Sequence, residues 1–420
     1  MSQSSKNLGD TLAGDDSSLA LVDLSGDMAQ FTYAELSAQI EAKARSMDLK
    51  VGQRVGLLGS NSAEFVATFF AVMRRGCVAV PINTKFPKEM LEHIVEDSEL
   101  AEAHVDRDLW KALPLDLSQQ ELCLSELGSG DEQIFQPDPG QAGLVLYTSG
   151  STGMPKGVLL SHDSQWAMVD RMKTVMAGAT AIIAAPLYHM NGLLMLWSIF
   201  AAGGTVVLMP RFDARAYLQA IHDHRVTVIT GVPTMLSLIL KEQDLLASLD
   251  LSSIEGVSVG SAPLSETLIE QVKNIFPNAG IRNGYGTTEA GAGMFGAHPN
   301  GIPVPSLALG YAQPHVEVRL IGGESTSEGV LEVKTPSAMN GYLNLPEKTA
   351  EKMDPEGWIT TGDIMRKDED GFFYFVGRDD DMFNCGGENI YPGEIERRLE
   401  TDPRVAESCV VSVADEIKGQ

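Results

Sequence analysis

The sequence predicts an α/β fold on mostly parallel, doubly wound sheets, and three observations carry that expectation. Short apolar runs alternate with amphipathic helical segments up to about residue 300, which is the rhythm of strand–helix–strand units. From about Leu307 the texture changes to a period of two with Gly/Asp turns, which predicts antiparallel β structure. At 420 residues the chain is too long for one simple core, so two or three domains are expected.

Residues 1–18 are polar and read as a mobile tail. "FTYAELSAQIEAKARSM" opens a helix, with Thr32 and Glu35 spaced as a capping box. "RVGLLG" and "CVAVPIN" read as buried strands, and "SAEFVATFFAVMRRG" and "PKEMLEHIVEDS" as helices. "SQWAMVDRMKTVM" is a helix with Trp166, Val169, Met172 and Met176 on one face. "TAIIAAP", "GTVVLMP", "VTVITGVP" and "IEGVSVGSAP" follow as strands, and Ser265 caps the helix "SETLIEQVKNIFP". Leu268 stands where a Glu would complete a capping box. "VEVRLI", "GVLEVKT" and "WITTGDIMRKDEDGFFYFVG" alternate in period two, with a hairpin turn at "DEDG", 368–371. After "GRDDD" a new unit begins, with a helix in "IYPGEIERRLETDP" and a strand in "VAESCVVSVA".

Composition narrows the function. A formal net charge of -26 repels nucleic acid and anionic lipid, so neither is an expected partner. An anionic ligand would need a local cradle of N–H donors, a Lys or Arg, or a divalent cation. Cys77, Cys123, Cys385 and Cys409 are scattered and form no CxxC pair, which fits a reducing cytoplasm rather than a disulfide framework or structural zinc. The N-terminus has no apolar signal segment. No Asp, Glu, Lys or Arg occurs between Lys173 and Arg211. Pro186, His189, Asn191 and Gly203-Gly204 break that stretch into pieces too short to span a membrane.

Three motifs carry chemistry. "YTSGSTGMPKG" fails the Walker A spacing: counted from Gly150, the second Gly falls on Pro155, and no Ser or Thr follows the Lys. Its composition still suits polyphosphate. Glycines turn N–H groups inward, Thr148, Ser149, Ser151 and Thr152 bring hydroxyls, and Lys156 brings charge. A flexible surface loop has the same composition. In "NGYGTTEAG", 283–291, Tyr285 suits stacking on a base, Thr287 and Thr288 suit a phosphate, and Glu289 suits Mg²⁺. A capped turn explains that stretch equally well. In "TTGDI" with "GRDDD", Asp363 suits a pair of ribose hydroxyls and Arg378 can share the task, although turn residues between strands are the plainer reading. "HDHR", 222–225, reads as a solvated helix end rather than a metal pair.

Together these pieces resemble the adenylate-forming superfamily: acyl- and aryl-CoA synthetases, luciferases and the adenylation domains of peptide synthetases. "YTSGSTGMPKGV" is similar to its phosphate loop. "GSAPL" and "NGYGTTE" are similar to its adenine and α-phosphate segments. "TTGD" and "GRDDDMFNCGGENIYPGEIE" are similar to its ribose site and hinge. "NSAEFVATFFAVMRRGCVAVPIN" and "GYLNLPEKTAE" resemble stretches between them. The resemblance runs from about Phe31 to the end. It implies a large N-terminal adenylation domain, 19–379, of two doubly wound α/β subdomains plus a small β-barrel. A hinge and the start of a small α+β C-terminal domain would follow in 380–420.

The resemblance also implies roles. Thr148, Ser149, Gly150, Ser151, Thr152, Gly153 and Lys156 would grip the β- and γ-phosphates of ATP. Ser261, Ala262, Pro263 and Tyr285 would line adenine, with Asn283, Gly286 and Thr287 also at the nucleotide. Thr288 would contact the α-phosphate, Glu289 the Mg²⁺, and Asp363 and Arg378 the ribose, with Asp380 as hinge. "APLYHMNGLL" resembles the segment lining the acyl pocket, which places His189, Met190 and Gly284 at the acid and His189 beside Thr288 and Glu289 in catalysis. A lone His would otherwise read as a core residue. Met190 stands where amino-acid-activating members usually have an Asp nearby, so an α-amino acid is not expected.

An ionised carboxylate attacking the α-phosphorus needs no activating base, so catalysis would be positioning and charge neutralisation. The expected reaction is an AMP-forming acyl- or aryl-CoA ligase using ATP, Mg²⁺ and CoA. The alternatives are a ligase loading a phosphopantetheine carrier and a non-catalytic acyl-adenylate binder; a homodimer is compatible with either. The late Gly-Lys context of the superfamily's catalytic lysine has no match here, and Lys418 in "ADEIKGQ" has the order reversed. The chain therefore reads as truncated in the C-terminal domain, with impaired adenylation expected.

Overall fold

The computed structural model describes residues 6–26, 28–109, 117–125, 134–148, 153–260, 262, 264–325, 327–379, 381, 383–385, 388–390, 392–400, 402, 405, 408–411 and 413. They belong to two compact units. The first draws on Met1–Thr230, Asp244–Ile254 and Ser337–Thr349, and the second on Gly231–Gln243, Glu255–Pro336 and Ala350–Gln420.

The first unit holds two sheets. In one, the strands Ala142–Thr148, Val78–Pro81, Arg54–Leu58, Glu102–Val105 and Gln119–Glu121 lie side by side in parallel. Lys156–Ser161 turns back antiparallel on Ala142–Thr148, and Gly341–Tyr342 pairs antiparallel with it. In the other, Val228–Gly231, Thr180–Ile183, Thr205–Leu208 and Leu19–Asp23 are parallel neighbours, edged by antiparallel Ala29–Thr32. The central strands are largely apolar, whereas the edge strands Gln119–Glu121 and Ala29–Thr32 are polar or part-exposed, because helices cover both faces at the middle of such sheets. Val55, Leu57, Val80, Val145, Ile182 and Val207 are buried.

The uncharged stretch 174–210 resolves into strands and one central helix, Met190–Ala201. It packs on the helix Ala63–Arg74, where Phe69 meets Trp197 at 5.6 Å and Phe70 meets Phe200 at 5.8 Å. Both helices share one core with residues of both sheets, which is why each is apolar on nearly every side. Among the described residues no helix is long and apolar enough to cross a membrane. The helix Tyr33–Ser46 starts with the expected capping box: Thr32 Oγ1 accepts the Glu35 N–H at 3.2 Å, and the Glu35 carboxylate accepts the Thr32 N–H at 2.8 Å.

The N-terminal segment departs from the mobile tail expected of it. Leu8–Asp10 form a 3-10 turn, and Leu8 is wholly buried. The Asn7 amide donates to the carbonyls of Met73 and Phe135, both at 2.8 Å, and Arg74 Nε donates to the Gly9 carbonyl at 2.8 Å. The Leu8 N–H donates to Nδ1 of buried His162 at 3.0 Å. Isolated apolar residues in a polar run have no periodicity to announce them; partners distant in sequence satisfy the backbone of Leu8.

In the second unit, Gly256–Gly260 and Gly280–Gly284 pair in parallel, and the Ser265 hydroxyl accepts the Leu268 N–H at the start of the helix Glu266–Ile275. The small barrel is a curled half-barrel of six antiparallel strands in the order Phe295–Gly296, Gly310–Ala312, Phe372–Arg378, Ile359–Lys367, Glu328–Lys334, Glu317–Ser325. The turn at 368–371 closes with the Gly371 N–H on the Asp368 carbonyl at 3.1 Å, with Gly371 at φ +86°. Phe383–Cys385 pairs with Glu388–Ile390 ahead of the helix Pro392–Leu399. The strand expected in "VAESCVVSVA" is not formed among its described residues. Instead the Ser408 and Val410 N–H groups are capped by the Glu400 and Glu396 side chains at 3.0 and 2.8 Å. A strand needs a neighbour to receive its ladder, and side chains take that place here.

Candidate active site

A polar cluster in the second unit centres on Asp363. The antiparallel register sets Asp363 directly opposite Arg378. Arg378 Nη1 donates to Asp363 Oδ1 at 3.0 Å, and the Tyr285 hydroxyl donates to Oδ2 at 2.5 Å. Both oxygens of a carboxyl only 4% exposed are therefore engaged. The backbone beneath it is held firmly. Gly362 sits at φ +82°, a conformation that favours glycine. The Asp379 N–H donates to the Gly362 carbonyl at 2.8 Å. The Thr361 hydroxyl accepts the Asp363 N–H at 3.0 Å and donates to the Leu331 carbonyl at 2.8 Å, and Lys352 Nζ donates to the Thr361 carbonyl at 2.8 Å.

Burial raises the pKa of Asp363, while the Tyr285 hydrogen bond and the charges of Arg378 and Lys352 pull it down. Burial, and then the neighbouring Asp363 charge, hold the Tyr285 phenol well above its usual value, so it stays a donor. Its ring continues into an aromatic row, 5.8 Å from Phe295, which lies 4.9 Å from Phe373.

The motif "NGYGTTEAG" forms a tight hairpin. Gly286–Thr287 pairs with Gly291–Ala292, and Thr288 and Glu289 occupy the turn. A Cβ on Gly286 would meet the Gly291 carbonyl at 2.7 Å and the Ala292 Cα at 2.8 Å, so only glycine fits. Thr287 Oγ1 accepts the Ala290 N–H at 3.0 Å, giving that hydroxyl the turn role the sequence left open. Asn283 donates to the Leu307 carbonyl at 2.8 Å, and Gly284 ends the preceding strand. Ala262 is exposed before the Ser265-capped helix.

The phosphate-loop candidate lies in the first unit as a hairpin, with Thr148 directly opposite Lys156. Gly153 has φ +91°. His93 Nε2 lies 3.1 Å from the Pro155 carbonyl, and Lys156 Nζ lies 4.9 Å over the ring of Tyr342. His189 immediately precedes the helix Met190–Ala201, its ring 4.7 Å edge-on from Tyr188. His189 is exposed as a residue, and partial burial of its imidazole lowers its pKa. Asn61 fixes the turn before it, donating to the Ala185 and Met209 carbonyls at 3.0 and 3.1 Å and accepting the Leu187 N–H at 2.9 Å.

The structure thus joins Tyr285, Asp363 and Arg378 by direct contact and places Thr148, Gly153 and Lys156 on one hairpin. Ser149, Gly150, Ser151, Thr152, Ser261, Pro263 and Asp380 lie outside the described residues. Sequence reasoning missed Thr361, Lys352, His93, Tyr342 and Asn61, whose roles are set by contact rather than motif. At "HDHR", His222 Nδ1 accepts the Asp250 N–H at 3.1 Å. No group of three metal-ligating side chains occurs among the described residues.

Residues 11–343 match the AMP-binding enzyme family. The chain belongs to that family. As an AMP-binding enzyme it falls in the adenylate-forming superfamily, on its CoA-ligase branch. It is 34% identical over 403 residues to a feruloyl-CoA synthase of Amycolatopsis sp, covering 91% of this chain and 81% of the relative. It is 32% identical to the fatty acid–[acyl-carrier-protein] ligase ScoC of Streptomyces coeruleorubidus, covering 93% and 80%. The solved structure of ATP-bound MatB from Rhodopseudomonas palustris superposes with a TM-score of 0.86 at 28% identity, covering 99% and 87%. This AMP-binding enzyme therefore shares the fold of a protein whose ATP complex is known.

Proposed function

We propose that this AMP-binding enzyme activates a carboxylic acid with ATP and passes the acyl group to the thiol of CoA. The substrate carboxylate oxygen attacks the α-phosphorus, and the bond from that phosphorus to the bridging oxygen breaks, releasing pyrophosphate. The thiol sulfur then attacks the acyl carbon, AMP departs, and the thiol proton passes to solvent. The observation that carries this reading is the buried Asp363, fixed between the Tyr285 phenol and Arg378: a carboxylate held in this way suits the vicinal hydroxyls of a ribose.

The remaining roles follow the resemblance to the adenylate-forming superfamily. Thr148, Ser149, Gly150, Ser151, Thr152, Gly153 and Lys156 take the β- and γ-phosphates. Ser261, Ala262 and Pro263, with Asn283, Tyr285, Gly286 and Thr287, take the adenine end. Thr288 takes the α-phosphate. A carboxylate such as Glu289, on the turn of the hairpin, fits Mg²⁺ arriving with the nucleotide, since Mg²⁺ keeps waters and phosphate oxygens. The bound ion would neutralise charge on the phosphates. His189, Met190 and Gly284 face the acid, and neutral His189 adds no charge repelling or trapping it. Asp380 is the hinge between a domain at 19–379 and residues 380–420. Free Cys77, Cys123 and Cys409 support a cytoplasmic location.

A carrier-protein acceptor is the second reading, supported by the likeness to an acyl-carrier-protein ligase. Pyrophosphate release is to be measured over aliphatic and aryl carboxylic acids, with CoA or a phosphopantetheinylated carrier as acceptor. Acid-dependent pyrophosphate and AMP with thioester on CoA supports the first reading, and thioester on the carrier alone supports the second. If no acid raises pyrophosphate release and neither ATP nor AMP binds, the reading fails.

A further inference from the structure

We infer that Tyr342 is a positioning residue, whose ring face holds the Lys156 ammonium in place, unneutralised, for a polyphosphate. The inference rests on the assignment of the loop 148–156 to the ATP phosphates.

The geometry follows from the sheet. Gly341–Tyr342 pairs antiparallel with Lys156–Ser161, with Tyr342 opposite Val158. Lys156 is two residues from Val158, on the same face, and so is the diagonal cross-strand neighbour of Tyr342. Diagonal neighbours lie within reach of an aromatic ring and a long side chain. The Lys156 ammonium accordingly stands 4.9 Å over the Tyr342 ring centroid, inside the range where the ring quadrupole attracts a cation.

The ring is rigidly set. Tyr342 is 7% exposed. Its N–H donates to Thr349 Oγ1 at 2.9 Å, and the next N–H, of Leu343, donates to the Gly157 carbonyl at 2.7 Å. Gly341 has φ +141°, and a Cβ there would sit 2.9 Å from Thr349 Cγ2. Asn344, at φ +54°, donates to the Asp97 carbonyl at 2.7 Å. The ring is thus supported from both sides of its own backbone.

What the ring withholds matters as much. The chain carries 57 acidic residues against 31 Lys and Arg, so carboxylates are plentiful as competing partners. Among the described residues of the first unit, no carboxylate lies within ion-pair distance of Lys156. A carboxylate partner would neutralise the ammonium and compete with phosphate, whereas a ring face orients the charge and leaves it for an anion.

The test replaces Tyr342 with phenylalanine and its mono-, di- and trifluorinated analogues, which keep the ring's shape and progressively drain its face of negative charge. Dissociation constants for ATP and for AMP are measured by calorimetry at fixed Mg²⁺ and salt. ATP affinity should fall stepwise along the series, by about three- to tenfold in all, while AMP affinity stays constant because AMP lacks the phosphates that Lys156 meets. Tyr342→Leu should show at least the full loss for ATP. A flat ATP series in a protein that prefers ATP to AMP overturns the positioning role alone. Parallel loss of ATP and AMP affinity marks a merely structural ring and overturns it too. A wild-type protein that binds ATP no more tightly than AMP refutes the phosphate-loop assignment and the inference with it.

Discussion

The Tyr285 hydroxyl donates to the Asp363 carboxylate across 78 residues of sequence, at 2.5 Å. The bond joins the motif after Gly280–Gly284 to the middle of the half-barrel. It also occupies the oxygen left free by Arg378. A carboxylate this buried has few ways to rearrange, so its partners decide how it meets a ligand.

Asp363→Asn should weaken ATP and AMP alike, because the ribose is common to both. A hydrogen bond to a charged group contributes about 1.5–3 kcal/mol, so a loss of roughly ten- to a hundredfold is expected by calorimetry. A variant that loses ATP but keeps AMP would move Asp363 from the ribose to the phosphates.

Arg378→Ala removes a charge that pulls the Asp363 pKa down. With burial less opposed, the carboxyl should protonate at a higher pH than in the wild type. Nucleotide affinity requiring the ionised form should then fall earlier on acidification. Calorimetric titrations of AMP from neutral to acidic pH check this; a parallel profile in the two proteins would reject it.

Lys156→Ala should lower ATP affinity and spare AMP. Charge-assisted contacts to phosphate suggest about tenfold or more. Equal weakening of both nucleotides would show that the hairpin supports the fold rather than the phosphates.

The buried imidazole of His162 should make the first unit acid-sensitive. Burial lowers its pKa from 6.5 to about 4, and its Nδ1 must stay unprotonated to accept the Leu8 N–H. The unfolded chain binds this proton from pH 6.5 downward, whereas the folded chain does not until about pH 4. Stability is therefore intact above pH 6.5 and declines below it, by about 1.4 kcal/mol per pH unit across that window. His162→Gln should flatten that limb in urea melts at pH 7, 6 and 5. Gly143→Ala should destabilise the same region at every pH, by about 1–3 kcal/mol, because its Cβ would sit 2.7 Å from the His162 ring.

Much of the fold is legible because period and punctuation report local structure. "RVGLLG" and "CVAVPIN" form parallel neighbours, and the Thr32–Glu35 box closes as its spacing predicts. The N-terminal turn is illegible because its few apolar residues show no period, and it is held by the bonds of Asn7 to Met73 and Phe135 and of Leu8 to His162. "VAESCVVSVA" misleads for the opposite reason: its alternation promises a strand, but a ladder requires a partner that composition does not supply.

The sequence by itself determined the α/β class, the antiparallel β structure after Leu307, and the residue types able to hold a nucleotide, because each is written in local spacing. Tertiary structure decided which of those residues touch. It joined Tyr285 to Asp363, set Arg378 opposite that carboxyl through strand register, and laid Lys156 on the ring of Tyr342. Such pairings depend on register and burial across long sequence separations, where a shift of one residue would turn every side chain to the other face.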